Sequence, residues 1–139
     1  MGQFKDLSDD PQLRRQWGIP AKPSASAKWK DKRIKDDPYK PEVLNKKGMV
    51  TFARNGTDSR TSQMFVNLAD NPQLDKLPGF RPVGQVVEGI ELLPRIYDEH
   101  GEYPRQEKIF QEGNTCLKRE FPKLSGIKKA RLPGDKDEL

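Results

Sequence analysis

The residue types that most often carry covalent or proton-transfer chemistry are scarce in this chain of 139 residues, which holds one His and one Cys. His100 lies in DEHGEY, a charged, glycine-bearing turn where a solvated loop histidine is expected rather than a general base. Cys116, between Thr115 and Leu117 on an expected helix, reads as a small buried filler rather than a nucleophile. One Cys cannot close an internal disulfide, and one Cys with one His cannot build a structural zinc site of the usual kind. Gly84 and Gly89 are too sparse, and open no suitable helix, to cradle a phosphate. Metal and nucleotide chemistry are therefore set aside, and no cofactor is expected.

Hydrophobic residues make up 32% of the chain and charged residues 34%, so the core must be lean. The length suits one domain. No run of about 18 apolar residues exists, and the N-terminus lacks the apolar core of a signal peptide, so membrane insertion is not expected. Lys and Arg total 26 against 21 Asp and Glu, and the net charge of +5 favours loose contact with anions without requiring nucleic acid.

Residues 1–47 are polar, charged or proline, and Pro11, Pro20, Pro23, Pro38 and Pro41 interrupt any long helix or central strand, so this third is expected to be mostly loop. Within it, Asp10-Pro11 followed by QLRRQW has the form of a capped helix start. KWKDKRIKDD, at 28–37, suits an ordered loop pinned by Trp29 and Ile34. From Gly48 the pattern changes. GMVTFAR and QMFVNL alternate as two strands joined by the polar loop RNGTDSRTS, and VGQVVEG is a third strand candidate. Ile90, Leu93, Ile96 and Tyr97 fall at helical spacing, with Pro94 tightening or kinking the first turn. Residues 114–121 offer a second short helix, and IKKARL, at 127–132, a last strand. The fold class read from these elements is mainly β with short helices.

The stretch GMVTFARNGTDSRTSQMFVNLADNPQLD, followed by PVGQVVEGIELLPRIY, resembles the core signature of the cyclophilins, the barrel-shaped peptidyl-prolyl cis-trans isomerases. KWKDKRIKDDP and EGNTCLKREFPKLSGIKKARL resemble a subgroup with a longer C-terminal segment. The resemblance covers most of residues 16–132. It implies a cyclophilin-like antiparallel β-barrel, incomplete at the N-terminus, with a divergent segment at 1–15 and a polar tail at 133–139. The family's first two strands and first helix have no counterpart before Gly2, which implies an open barrel edge. The expected explanation is a truncated version of a longer isomerase, and the alternative is a relative that keeps the peptide groove and has lost turnover.

The resemblance also implies a site. Phe65 matches the family's aromatic pocket floor, and Gln63 its ligand for a substrate carbonyl. Ala53, Arg54 and Asn55 resemble the strand end that pairs with an extended peptide, with Arg54 in place of the more usual Asn and adding a charge at the groove rim. Leu74 matches the pocket-wall leucine, Gln73 stands where many members carry Trp, and Phe80 stands where others have His. Gln16, in QWGI, resembles a second polar ligand in the groove. In the same register Leu13 and Arg14 replace the pocket Phe and Met, and Ser8 occupies the position of the catalytic Arg. Arg14 and Arg15 are the residues that could bring a guanidinium to the same space, although a helix begun at Asp10-Pro11 would place them differently from a strand.

The activity so implied needs neither cofactor nor nucleophile. An X-Pro amide has a rotational barrier of about 18 to 20 kcal/mol, while its isomers differ by only about 0.5 to 1 kcal/mol. A catalyst need only favour the twisted amide, with an apolar pocket for the ring, donors for the flanking carbonyls and a cation where charge changes. The partners expected are proline-containing polypeptides whose folding the chain assists, and the rival expectation is a non-catalytic peptide-binding module. Nucleic acid is not an expected partner, because Asp31, Asp36 and Asp37 dilute the basic residues around Trp29. The terminal Lys136-Asp137-Glu138-Leu139 matches a retrieval signal of the endoplasmic reticulum lumen, the expected location, with the cytoplasm as alternative. Asn55-Gly56-Thr57 is a glycosylation sequon, and a glycan there could obstruct the groove. Met1-Gly2 starts like a myristoylation signal but lacks its Ser or Thr at Asp6.

Overall fold

The computed structural model describes residues 14–38, 40–77, 79–96 and 105–135. Four short strands, β1 (Arg14–Trp17), β2 (Met49–Phe52), β3 (Met64–Asn67) and β4 (Pro82–Gln85), form one antiparallel sheet in the order β1-β3-β2-β4. The sheet is mainly-β and cyclophilin-like in class but is not closed among the described residues. β3 is central, and its Phe65, Val66 and Asn67 are all buried, because both faces of the sheet are covered there. The helices are α1 (Pro23–Trp29), α2 (Pro72–Asp75), α3 (Gln106–Glu112) and α4 (Asn114–Glu120), with a 3-10 helix at Ile90–Arg95. α1 packs on α3, and α3 on α4.

β2 and β3 lie where the alternation put them, and α4 lies within the short helix expected before Pro122. The third strand candidate is shorter than its apolar run: β4 ends at Gln85, Val83 faces outward within it, and Val87 beyond it is exposed. The helix expected at 90–97 is, where it is described, a 3-10 helix at Ile90–Arg95 with Pro94 inside it, in keeping with a ring that blocks the ordinary helical bond, and Tyr97 lies outside the described residues.

Three expectations are corrected. QLRRQW is not helical where it is described: Arg14–Trp17 is a strand, with Arg14 opposite Asn67 and Trp17 opposite Met64. The β3 ladder supplies backbone partners, whereas a helix this short is marginal without packing. The cap itself, Asp10-Pro11, lies outside the described residues. IKKARL forms no strand; Ile127 and Leu132 stand exposed, and neither sheet edge offers that segment a ladder. Trp29 and Ile34 do not pin the 28–37 loop, being 46% and 43% exposed. Trp29 instead ends α1, a helix the sequence reading missed although Pro23 stands at its start. The loop is held by polar contacts: the Ile34 N–H donates to the Arg60 carbonyl (2.8 Å), and Arg60 donates to the Asp37 carboxylate (2.9 Å) and to the Lys35 carbonyl.

A second polar lattice fills the base of the sheet. Asn45, Thr51 and Asn67 are wholly enclosed. The Asn45 Oδ1 accepts from the Thr51 hydroxyl (2.6 Å) and from Asn67 Nδ2 (3.2 Å). Its Nδ2 donates to Asp75 Oδ1 (2.9 Å) and to the Phe80 carbonyl (3.0 Å). Asn71 Nδ2 donates in turn to Asn67 Oδ1 (2.6 Å). One side chain thereby fixes α2, β2, β3 and the approach to β4 relative to one another.

Candidate functional site

Side chains alternate across a strand, so register decides which residues share a face. Gln16 opposes Phe65 across the β1–β3 ladder, Thr51 opposes Phe65 from β2, and Gln63 lies two residues before Phe65. Gln16, Gln63 and Phe65 therefore share one face. Gln16 Nε2 donates to Gln63 Oε1 (2.9 Å), and Gln63 Nε2 donates to Gln106 Oε1 (3.2 Å) at the start of α3. This row of three amides runs along the rim of the face and presents both donors and acceptors. The Ser62 hydroxyl donates to the Gly18 carbonyl (2.8 Å), so the end of β1 is tied to the residue before Gln63. Gly18 has φ of +118°, and a Cβ there would run into the Ser62 carbonyl, so only glycine fits this tie.

Phe65 is fully buried and clusters with Ala53, Leu74 and Phe80, with Leu77 packed against them. Leu74 arrives on α2, and Phe80 on the turn into β4, both positioned by the Asn45 lattice described above. The expected floor and wall residues are thus brought together from four parts of the chain. The cluster is apolar and suited in chemistry to a pyrrolidine ring.

Arg14 adds what the sequence reading left open. Because β1 is a strand, Arg14 shares the face of Gln16, and its guanidinium carbon lies 5.3 Å from the Phe65 ring centroid, within cation–π range. Arg14 is 8% exposed and Phe65 is 0% exposed. A cation therefore rests on the aromatic floor itself. Ser8 and Leu13 lie outside the described residues.

Arg54 departs from the rim charge that the resemblance implies: it is buried, its guanidinium donates to the Gly56 carbonyl (2.6 and 2.9 Å), and it pairs with Asp36 (3.0 Å). It lies 5.8 Å from the Phe80 ring centroid, supporting the cluster from outside the groove. The approach depends on Gly79, with φ of +90°, where a Cβ would land on that guanidinium. The Asn55 N–H donates to the Ser59 hydroxyl (2.7 Å), and the Ala53 N–H to the Gln63 carbonyl (3.0 Å). Two donors of the proposed peptide-pairing strand are thus already used within the chain. The sequence reading also missed Gln106, for which a solvent-facing glutamine at a helix start gives no signal, and Leu77, which stands three residues after Leu74.

Cys116 is buried, but it is not a plain apolar filler. Its thiol donates to Glu120 Oε2 (3.0 Å), and that bond, burial and the neighbouring carboxylates of Glu120 and Glu112 hold its pKa above the ordinary range. Bonds from Cys116 and Arg119 lower that of Glu120. Donor atoms of Glu112, Cys116 and Glu120 lie within 4.8 Å of one another, but Arg119 and Lys108 already occupy the carboxylates (3.2 to 3.4 Å). The group closes α3 on α4 as an ion-pair cluster.

Residues 6–113 match the family described as cyclophilin type peptidyl-prolyl cis-trans isomerase/CLD. The chain belongs to the cyclophilins. It is 40% identical over 58 residues to peptidyl-prolyl cis-trans isomerase A of Dickeya dadantii, covering 39% of this chain and 30% of that protein. It is 30% identical over 83 residues to human peptidyl-prolyl cis-trans isomerase-like 3, covering 60% and 48%. With a peptidyl-prolyl cis-trans isomerase of Acinetobacter baylyi it shares 32% identity over 75 residues, covering 46% and 40%. The chain thus spans about a third to half the length of these curated relatives. Among its described residues no helix is long and apolar enough to cross a membrane.

Proposed function

We propose that this cyclophilin binds extended proline-containing segments on the face formed by Gln16, Gln63 and Phe65 and catalyses rotation of their X-Pro bonds. The observation that carries this reading is the meeting of Phe65, Ala53, Leu74 and Phe80 beside two hydrogen-bonded glutamine amides. The apolar cluster takes the ring, and the amides hold the flanking carbonyls. As the amide twists, its conjugation is lost and the nitrogen regains a lone pair, so fixed dipoles that favour this geometry lower the barrier. Folding assistance within the endoplasmic reticulum lumen is part of the same proposal; it rests on the terminal KDEL, and removal of those four residues is expected to abolish lumenal retention of a tagged chain.

The central test is catalysed isomerisation of a proline-containing model peptide by the full chain. Phe65→Ala is expected to remove the rate enhancement and Gln63→Ala to weaken it about tenfold, the loss of about 1.4 kcal/mol of transition-state stabilisation. A wild-type rate equal to that in buffer would refute turnover. One observation favours a second reading, a peptide-binding module without turnover: Ser8 stands in register where the resemblance implies the catalytic Arg. Saturable peptide binding with no rate enhancement would support it.

A further inference from the structure

We infer that residues 28–35 form a docking surface for an anionic membrane, touched from its outer face without any span. Five cations, Lys28, Lys30, Lys32, Arg33 and Lys35, stand in this stretch against one carboxylate, Asp31, and every residue in it is exposed. Among the described residues none of the five cations makes an ion pair. In the sequence, the neighbouring Asp36 and Asp37 dilute this charge. The fold answers both from within: Asp36 pairs with Arg54 (3.0 Å) and Asp37 with Arg60 (2.9 Å), two guanidinium side chains only 7% and 4% exposed. Asp58 stands beyond Lys35, where it accepts from the Asp36 N–H (2.7 Å). Residues 28–35 therefore keep five positive charges against one negative.

The same stretch presents two large apolar side chains, Trp29 and Ile34, each nearly half exposed. They lie five residues apart, within about 18 Å of each other even in a fully extended chain. Lys28 and Lys32 place their ammonium groups 5.5 and 4.4 Å from the Trp29 ring centroid, so cations gather around the indole. The backbone is held before any partner arrives. The Lys30 N–H donates to the Ser26 carbonyl (2.9 Å), the Lys32 N–H to the Trp29 carbonyl (3.0 Å) and the Ile34 N–H to the Arg60 carbonyl (2.8 Å). Little ordering is then left for the moment of binding. An indole and an aliphatic side chain among long basic ones match a lipid headgroup layer: indole rings settle there, aliphatic groups leave water, and lysine stems reach back to the phosphates. Single-stranded nucleic acid fits less well. Ammonium groups lie over the ring on which a base would stack, and Ile34 offers a base no aromatic face.

The test is co-sedimentation of the full chain with vesicles of phosphatidylcholine alone, or with one lipid in three replaced by phosphatidylserine, at about 0.05 M salt. Anionic vesicles are expected to bind at least tenfold more tightly than neutral ones, since each basic residue near such a surface contributes about fivefold. Lys30→Gln combined with Arg33→Gln should weaken that binding by about tenfold or more. Ile34→Ser should weaken it by about fivefold, a loss that charge alone does not explain. All three positions are exposed, and thermal melting checks that the variants fold. Raising salt to about 0.5 M shortens the screening length roughly threefold and should reduce binding of the wild type, an electrostatic readout that needs no variant. Equal binding to both kinds of vesicle, no binding to either, or folded variants that bind as the wild type does would overturn the proposal. So would capture of a single-stranded oligonucleotide or of polyglutamate at protein concentrations where anionic vesicles are left unbound.

Discussion

Asn45→Ala is the substitution from which the structure yields the sharpest number. Asn45 is wholly enclosed and its side chain makes four hydrogen bonds. Not all four partners are orphaned by its loss. The Phe80 carbonyl keeps Arg81 Nη1 (3.2 Å), Asn67 Nδ2 keeps the Met49 carbonyl (3.1 Å), and Asp75 Oδ1 keeps the Asn45 backbone N–H (2.8 Å). The Thr51 hydroxyl, with no exposed surface, loses its bond to Asn45 Oδ1. One buried unsatisfied hydroxyl costs about 1 to 3 kcal/mol, and with the surrounding bonds weakened the expected total is about 2 to 4 kcal/mol. Adding Thr51→Val removes the orphan, so the double variant should be more stable than Asn45→Ala alone by about 1 kcal/mol. Urea unfolding at 25 °C, with slopes checked for constancy, measures both differences. A single-variant loss below about 1 kcal/mol, or a double variant less stable than the single, would refute the claim that this lattice is satisfied through Asn45. Because Leu74 and Phe80 hang from the same lattice, a destabilised Asn45→Ala should also bind proline peptides more weakly.

Two further outcomes are expected. Asp36→Ala removes the carboxylate facing buried Arg54 (3.0 Å) and Arg60 (3.9 Å), and thermal melting should show a loss of about 3 kcal/mol, since an uncompensated buried charge costs that much; a loss under about 1 kcal/mol would mean that Gly56 and Asp37 hold the guanidinia without it. Cys116, whose thiol pKa is raised by its bond to Glu120, burial and nearby carboxylates, should resist alkylation around pH 8 in the folded chain and react quickly in denaturant. Its thiolate is disfavoured while folded, so stability linked to it is present at low and neutral pH and lost as pH rises through the raised pKa. Glu120→Gln should quicken native labelling; an unchanged rate would discount the carboxylate as the cause.

β2, β3 and α4 could be read from the chain because each has a local cause: alternation in MVTF and MFVN, and for NTCLKRE a segment ended by Pro122. Leu74 and Phe80 were reachable through the cyclophilin signature around them. β1 was not, because RRQW has no strong preference of its own and follows a convincing helix start; pairing with β3 decides it. IKKARL shows the converse, a strand-like pattern with no ladder to join.

The sequence by itself determined the mainly-β class, the family, and which residue types could line a proline-binding face, because these follow from short-range pattern and motif. The tertiary structure alone decided that Gln16 meets Gln63 across 47 positions of chain, that Arg54 turns under the cluster to Asp36, and that Arg14 lies on Phe65. Those are contacts between segments far apart in sequence. The β1–β3 register chooses the first and the last of them, and a shift of one residue would have sent the β1 side chains to the opposite face.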